Sequence, residues 1–339
     1  MKKIFLKDIA EALNLSKTAV SMVLNNKGDE NKISKETQKR VWAYARAHHY
    51  QPNQMARALS LGKSETIGLI VPNISDIFYA TIAHYVERKA KALGYNVVFS
   101  SSNEDPETEK QLMYSMLNRQ VDGLIIASTQ KNQEDIEELN RSKYPFVLID
   151  RHYPGLTTNY VIVDNLRGTE QMTRHLLKQG RQRIGLVSIQ SGLEAMKQRQ
   201  LGYEKALRDA GLEYRAEMVK LLSPFEYESE MKEAIRSMLH GPRAVDGLVF
   251  TTHYLAASGL RALKALGVEV PGEVALISFD ELGAFDLVEP PITANQQPVE
   301  DIGRFAVEIL VHEIARKGAG MDKQRVLPTQ LLVRKSCGA

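Results

Sequence analysis

The side chains of this chain best suited to bind a small molecule are the polar ones that follow short apolar runs. Runs such as TIGLIVP, FVLID and VALISFD are rich in β-branched residues and are typical of buried strands. In sheets of this kind, ligands bind beyond the carboxyl ends of the strands. The residues that this rule selects are Asn73, Ser75, Asp150, Arg151, Asp164, Thr252, His253 and Asp280. Their carboxylates, hydroxyls, guanidinium and imidazole suit a polar ligand.

Helices between the strands add three further candidates. Phe78 and Tyr79 open a helix, where they either stack on a sugar or base ring or simply pack in the core. Arg199 lies in KQRQLGYEKAL, close enough to a helix start to reach a cleft. For Asp150 and Asp164 there is an alternative to ligand binding, which is that they are hydrogen-bonding groups at a strand end or a crossover.

The sequence predicts no enzyme. It contains no GxSxG, no HExxH and no glycine-rich dinucleotide loop, and its histidines and carboxylates form no convergent acid–base set. The single cysteine, Cys337, makes neither an internal disulfide nor a metal cluster. We therefore expect neither a cofactor nor a metal site.

The larger part of the chain predicts an α/β body. From Ile67 onward, short apolar runs alternate with helical segments such as AHYVERKAKAL and EKQLMYSML. This alternation is typical of parallel sheets with helices on both faces. The runs are too many for one compact sheet, and the pattern restarts near residue 165. We expect residues 65–339 to form two doubly wound, parallel-sheet subdomains with a cleft between them.

Residues 1–50 predict a small all-α head. The stretch FLKDIAEALNLSKTAVSMVLN contains two short helices around a tight turn, with Asn14 closing the first helix and Ser16 capping the second. A third helix follows from Ser34, with Trp42 on its inner face. The spacing of the small and apolar residues is that of a helix-turn-helix, and a generic helical hairpin is the alternative.

Positive charge is concentrated at the start of the chain. Residues 1–64 hold nine lysines and three arginines against two aspartates and three glutamates, a net charge of +7, whereas the whole chain carries +3. A basic head on an acidic body is typical of a protein whose head alone meets a nucleic acid. The sequence predicts neither a membrane span nor a signal peptide, so we expect a cytoplasmic protein.

If the second helix enters a major groove, its exposed side chains meet base edges and phosphates. The candidates for base edges are Lys17, Thr18 and Met22, and those for phosphates are Ser16, Ser21 and Asn25. Residues 51–64 then predict a hinge helix that forms only with DNA and a second subunit, because Leu59 has no apolar partner within the segment. A leucine of this kind wedges between base pairs from the minor groove. The candidates in this segment are Asn53, Ala56, Arg57 and Leu59.

The order of DIAEALNLSKTAVSMVLN, YQPNQMARALSLGKS and TIGLIVPNISDIFY resembles the lactose-repressor/galactose-repressor family of bacterial transcription regulators, and the match runs the full chain. The resemblance implies that Lys17 and Thr18 read bases, that Leu59 is the minor-groove leucine, and that Arg199 and Asp280 bind an effector. Met22 departs from the family, which often has a basic or polar base-reader there. Thr252 and His253 stand where the family commonly has an Asn-Asp pair.

The resemblance also implies a periplasmic-binding-protein-like body in which the chain crosses between subdomains near residues 163, 294 and 325. The N-subdomain then comprises about 65–163 and 294–325, and the C-subdomain about 164–293 and 326–339.

The expected function is that of a transcription regulator, most often a repressor in this family, which binds a near-palindromic double-stranded DNA operator as a homodimer. The chain ends at LLVRKSCGA without a heptad tail, which favours dimers over tetramers. The expected effector is a sugar or sugar derivative, and His253, Arg151 and Arg199 favour an acidic sugar. The rival function is a solute-binding protein without a DNA role, which would not need the basic head. The sequence identifies neither the effector nor the operator.

Overall fold

The computed structural model describes residues 4–50, 62–240, 244–315 and 323–339. The chain divides into two compact units, Met1–Ser64 and Glu65–Ala339. Each unit has its own hydrophobic core. Residues 51–61 of the predicted hinge segment, which include the candidates Asn53, Ala56, Arg57 and Leu59, lie outside the described residues.

Helices α1 (Leu6–Leu13), α2 (Lys17–Leu24) and α3 (Lys35–Ala47) form the first unit. Its core consists of buried apolar side chains from all three helices, with Trp42 half-buried against them. Asn14 ends α1 in the left-handed conformation, with φ of 55°, and its position lets the chain turn sharply into α2. The Oγ of Ser16 accepts a hydrogen bond from the Ala19 amide at 3.1 Å, which caps α2. The predicted caps and the three helices are confirmed.

Two six-stranded sheets carry the described part of the second unit. The first sheet has the order β11-β5-β4-β3-β1-β2, and all its pairs are parallel. Its strands are β1 (Thr66–Val71), β2 (Asn96–Ser101), β3 (Gly123–Ile126), β4 (Phe146–Ile149), β5 (Tyr160–Val163) and β11 (Gln324–Leu327). Its helices are α4 (Ile77–Ala92), α5 (Pro106–Asn118), α6 (Gln133–Arg141) and α11 (Val299–Ile314).

The second sheet repeats this plan with the order β12-β10-β9-β8-β6-β7. Its strands are β6 (Ile184–Ile189), β7 (Val219–Leu222), β8 (Gly247–Phe250), β9 (Ala275–Phe279), β10 (Thr293–Gln296) and β12 (Gln330–Leu332). Its helices are α7 (Asn165–Lys178), α8 (Glu194–Asp209), α9 (Tyr227–Leu239) and α10 (His253–Ala265). Only β12 runs antiparallel to its neighbour among the described strands of this sheet, which departs from the wholly parallel prediction.

The chain crosses between the sheets slightly later than predicted. Residue 294 lies inside β10 of the second sheet, and residue 325 lies inside β11 of the first sheet. A chain cannot leave a sheet in the middle of a paired strand, so the second crossing follows Gln296 and the third follows Leu327. The first crossing lies between β5 and α7, near the predicted residue 163.

No helix among the described residues is long and apolar enough to span a membrane.

Candidate functional site

The candidate DNA-binding side chains on α2 fall into two groups. Ser16, Lys17 and Thr18 are exposed at the start of the helix, so Lys17 and Thr18 are free to meet an external surface. The Nδ2 of Asn25 donates to the Ser21 carbonyl at 2.9 Å and to the Ser21 hydroxyl at 3.3 Å, so the two side chains are in contact with each other. Met22 is half-buried. The base-reading and phosphate-binding roles stay predictions.

In the second unit, two carboxylates reach the cleft from the ends of strands, and both residues have a left-handed backbone conformation. Asp150 directly follows β4 with φ of 63°, and Asp280 directly follows β9 with φ of 71°. Left-handed backbone is uncommon outside glycine, and aspartate is among the residues that tolerate it. Each amide donates to a carbonyl of the adjacent strand at 3.1 Å, Asp150 to Val161 and Asp280 to Asn295. The two subdomains thus present matched carboxylates at the carboxyl ends of their sheets.

In the N-subdomain, Asp150 belongs to a buried hydrogen-bonded set. Its Oδ2 accepts from the Tyr79 hydroxyl at 2.7 Å and lies 3.4 Å from the Arg151 Nε. Arg151 donates two bonds to the Glu104 carboxylate, at 2.8 and 2.7 Å, and one to the Ser128 carbonyl at 3.2 Å. Burial raises the pKa of Asp150, and the Arg151 guanidinium opposes this rise. The carboxylate is therefore held in place by protein side chains.

In the C-subdomain, Arg199 and Asp280 form the corresponding pair. Arg199 is only 2% exposed, and its guanidinium lies 3.6 Å from the ring centre of Phe279. It donates to the Asn165 Oδ1 at 2.8 Å and to the Thr251 carbonyl at 2.5 Å, and its Nη1 lies 3.6 Å from the Asp280 Oδ2.

Asp280 also accepts a 2.6 Å bond from the Nε2 of Gln297. The Oε1 of Gln297 is buried and has no hydrogen-bond partner among the described residues. Buried polar atoms are normally paired, so this acceptor is available to a ligand donor.

The side chain of His253, in the C-subdomain, lies close to a carboxylate of the N-subdomain across the cleft. Its Nε2 lies 3.6 Å from the Oδ1 of Asp76, the residue that caps α4 by accepting from the Phe78 amide at 2.9 Å. Its Nδ1 is buried and unpaired among the described residues. Burial raises the pKa of Asp76, and the neighbouring His253 side chain opposes this rise. Thr252 caps α10 through a 3.4 Å bond from the Leu255 amide, which uses one acceptor position of its hydroxyl.

A cavity of about 260 Å³ lies between the subdomains on the side of their connections. Residues of both halves line it, including Asp150, Arg151, Asn165, Glu194 and Gln198. Two of the predicted effector-binding residues thus border a space that a small ligand can fill. Asp164 lines it as well, and its carboxylate caps α7 by accepting from the Arg167 amide at 2.9 Å.

Some predicted ligand residues have other duties in the structure. Tyr79 is 6% exposed and packs in the core, so its ring is not available for stacking, and its hydroxyl orients Asp150. Phe78 packs against the same core and against the Tyr79 ring, with centroids 5.0 Å apart. Ser75 is exposed, and its amide bonds locally to the Asn73 Oδ1 at 2.8 Å.

Several polar residues of the cleft escaped the sequence prediction. They are Asp76, Glu104, Gln130, Asn165 and Gln297. Glu104, Gln130 and Gln297 follow β2, β3 and β10, so the strand-end rule finds them when it is applied to every strand. Asp76 and Asn165 lie at helix starts, where a polar residue is ordinarily read as a cap.

The charges of the cleft do not favour the acidic sugar. The carboxylates of Asp76, Asp150 and Asp280 outnumber the guanidinium groups of Arg151 and Arg199. Arg151 already forms a two-bond pair with the exposed carboxylate of Glu104. An added anion would raise the excess of negative charge in a buried place. Among the described residues, no group of three or more histidine, cysteine or acidic side chains is placed to hold a metal ion.

Comparison with known proteins gives matches over nearly the whole chain. Residues 5–53 match the family "Bacterial regulatory proteins, lacI family", and residues 64–335 match "Periplasmic binding proteins and sugar binding domain of LacI family". The chain is 30% identical to the sucrose operon repressor of Klebsiella pneumoniae over 335 residues, covering 98% of each chain. It is 29% identical to the ribose operon repressor of Halalkalibacterium halodurans over 333 residues, covering 98% of this chain and 96% of that protein.

A solved structure of the lac repressor dimer, bound to operator and the anti-inducer ONPF, has a similar fold. The TM-score is 0.88, with 23% identity and coverage of 100% of both chains.

Proposed function

The chain belongs to the LacI family of bacterial regulatory proteins, which bind DNA and regulate transcription, and on this premise we propose a ligand-controlled repressor. It binds a near-palindromic operator as a homodimer through residues 1–50, and residues 51–64 form the hinge helix. A sugar or sugar derivative in the cleft of residues 65–339 controls operator affinity. The match of residues 5–53 to the DNA-binding family disfavours the rival solute-binding protein, which has no use for this head.

The observation that carries the effector proposal is the matched pair of strand-end carboxylates, Asp150 and Asp280, each beside an arginine. Fixed carboxylates accept hydrogen bonds from ligand hydroxyls, and a guanidinium donates to ligand oxygens. A polyhydroxylated ring offers both donors and acceptors to such a site. The names of the sugar operon repressors above support the same ligand class.

The size and charge of the site restrict the chemical class of the ligand further. The cavity of about 260 Å³, which Asp150 and Arg151 line, is smaller than the roughly 300–1,000 Å³ of pockets for drug-sized ligands, so a ligand that fills it is small. Asp280 and Arg199 lie outside its lining. The surplus of carboxylates favours a neutral ligand over an acidic or phosphorylated one. We therefore propose a neutral single-ring sugar or a close derivative.

Control of operator affinity follows from linkage between the two sites. A ligand that binds one arrangement of the subdomains better than another shifts the population towards that arrangement. If the head binds the operator better in one of these arrangements, the ligand changes operator affinity, and the operator changes ligand affinity by the same factor.

The first test is a thermal-shift screen of the purified full-length protein against neutral sugars, sugar acids and sugar phosphates. A ligand at 100 times its Kd stabilises the protein by about 2.7 kcal/mol, which raises the Tm measurably. We expect hits among the neutral sugars, and we expect a hit to change operator affinity in a fluorescence-anisotropy titration. Hits confined to phosphorylated or acidic compounds would contradict the proposed ligand class.

The head is tested by Lys17→Ala and Thr18→Ala. Both side chains are exposed at the start of α2, and a good contact to a base edge is worth about 1–3 kcal/mol of discrimination. Each variant is expected to weaken binding to the cognate operator roughly tenfold or more and to affect random duplex DNA much less. Lys39→Ala is the control, because Lys39 is equally exposed but lies on α3. Equal losses for Lys17→Ala and Lys39→Ala would show a general charge effect and remove Lys17 from base reading.

A further inference from the structure

One helix of the effector cleft lacks a cap from its own subdomain. Helix α8 begins at Glu194 after Leu193, whose side chain accepts no hydrogen bond. The first amides of a helix have no partner within it and need an outside acceptor. The amides of Met196 and Lys197 reach the Leu193 carbonyl, at 3.1 and 3.2 Å. The amide of Glu194 donates instead to the Oε1 of Gln130, at 2.8 Å.

Gln130 belongs to the other subdomain, since it follows β3 of the first sheet. Its backbone is left-handed, with φ of 59°, and its amide donates to the Ser128 Oγ at 3.0 Å. Its side-chain Nε2 donates to the His152 carbonyl of the same subdomain. Both ends of the side-chain amide are therefore used, one within the N-subdomain and one across the cleft.

A buried carboxylate fixes the loop that presents Gln130. Glu109 is fully buried, and its two oxygens accept from the Ser128 hydroxyl at 3.0 Å and from the Thr129 amide at 2.6 Å. The Nδ2 of Asn132 adds a third bond to this carboxylate, at 3.1 Å. Satisfied buried networks of this kind rigidify the segments they join. The loop therefore fixes the position of Gln130 from which its Oε1 accepts the bond from the Glu194 amide of the other subdomain.

The partners of Gln130 also face each other across the cleft. His152 and Glu194 both line the cavity of about 260 Å³. Burial lowers the pKa of the His152 imidazole, and the negative charge of Glu194 opposes this shift. The imidazole-bearing residue of one subdomain and the carboxylate-bearing residue of the other therefore border the same space.

We infer that Gln130 is a positioning residue that latches the two subdomains together by capping α8. The latch deepens the proposed function, because α8 carries Arg199 into the effector cleft about one and a half turns after the capped amide. When the subdomains separate, α8 loses its cap, and its first turn frays. Closure of the cleft and ordering of the helix that presents Arg199 are then one event.

The test compares Gln130→Met with Gln133→Met in the full-length protein, without ligand or DNA. Methionine keeps the length of the side chain and removes its acceptor. Gln133 is an exposed glutamine nearby whose side chain bonds only to Glu137 of its own helix, at 2.9 Å, so it controls for the substitution itself. The measurement is amide hydrogen exchange, by mass spectrometry, in peptides that cover the start of α8.

We expect exchange at the start of α8 to quicken about fivefold in Gln130→Met, the size of a typical lost cap, and to stay unchanged in Gln133→Met. We also expect a larger radius of gyration for Gln130→Met in small-angle X-ray scattering, since a residue that only supports its own loop does not alter the spacing of the subdomains. Unchanged exchange at the start of α8 overturns the latch, and so does faster exchange confined to residues 127–135 and 150–156.

The outcome is independent of the proposed function. If the thermal-shift screen finds no ligand but Gln130→Met exchanges faster at the start of α8, the proposed function is weakened and the role of Gln130 is supported. If the screen finds a ligand but exchange in Gln130→Met is unchanged, the role of Gln130 is contradicted and the proposed function is not.

Discussion

Replacing Arg199 by alanine is expected to lower the free energy of unfolding of the Glu65–Ala339 unit by about 3–5 kcal/mol, as removal of one partner of a buried ion pair does. The substitution leaves the Asp280 carboxylate, 7% exposed, with the Gln297 amide but without its cation. It also leaves the Asn165 Oδ1 and the Thr251 carbonyl without the donor that they share. Urea unfolding, followed by circular dichroism, measures the loss.

The matched control is Arg208→Ala, because Arg208 lies near the end of the same helix and is exposed. An exposed substitution of this kind changes stability by no more than about 0.5 kcal/mol. If Arg199→Ala costs less than about 1 kcal/mol, the buried pair does not have the role assigned here. Arg199→Lys keeps the charge but not the planar group that stacks on Phe279 and donates in two directions, so we expect an intermediate loss.

This expectation changes how effector experiments on Arg199 are interpreted. The resemblance to the family predicts that Arg199→Ala abolishes the effector response and spares operator binding. The structure adds that Arg199 also stabilises the C-subdomain from a nearly inaccessible position. A lost response in this variant therefore shows an effector role only if the protein remains folded at the assay temperature. Asp280→Asn keeps the shape of the side chain and an acceptor for Gln297, but it leaves the Arg199 guanidinium without its anion, so its stability is checked in the same way.

The fold was predictable where burial fixed the residue types. Strands β1, β3, β4, β6, β8 and β9 have both faces covered, so their sequences are continuous apolar runs. Strand β10 has the sequence TANQ, in which Asn295 is fully buried but hydrogen-bonded to Thr329 at 2.9 Å. A buried strand that is rich in polar residues has no apolar pattern, and for this reason sequence reasoning did not find it.

The site was predictable in part, for a similar reason. Asp150, Arg151 and Asp280 directly follow apolar runs, and the strand-end rule found them. The roles of the neighbouring residues Phe78 and Tyr79 could not be decided from the sequence. Only the packing shows that both rings contact the core and that the Tyr79 hydroxyl donates to Asp150. The pairing of Gln130 with Glu194 joins segments 64 residues apart, and local pattern carries no information about such a contact.

The close crossing of α7 and α8 explains why Gly202 is a glycine. A Cβ at this position would overlap the Leu166 carbonyl oxygen and lie 3.0 Å from the Glu170 amide, both of which are backbone atoms of α7. Backbone atoms of a helix cannot rotate away as a flexible side chain can. The packing of these two helices therefore requires a residue without a side chain at this point.

Gly202→Ala is expected to destabilise the protein by about 1–3 kcal/mol, the usual cost of overpacking. This cost exceeds the gain of about 0.5–1 kcal/mol that alanine brings to a helix. Relief of the overlap requires α8 to move away from α7, and Arg199 lies on α8 only three residues before Gly202. We therefore expect weaker effector binding as well as lower stability, measured by urea unfolding and by titration with the ligand found in the screen.

The control for Gly202 is Gly192→Ala. Gly192 lies in the loop just before α8, and a Cβ there meets no atom within 4 Å. This variant is expected to keep the stability of the unchanged protein to within about 0.5 kcal/mol. If both variants are equally stable, α7 and α8 separate easily, and their contact does not fix Arg199. If Gly202→Ala alone is destabilised and binds the ligand weakly, the helix crossing sets the position of the guanidinium in the cleft.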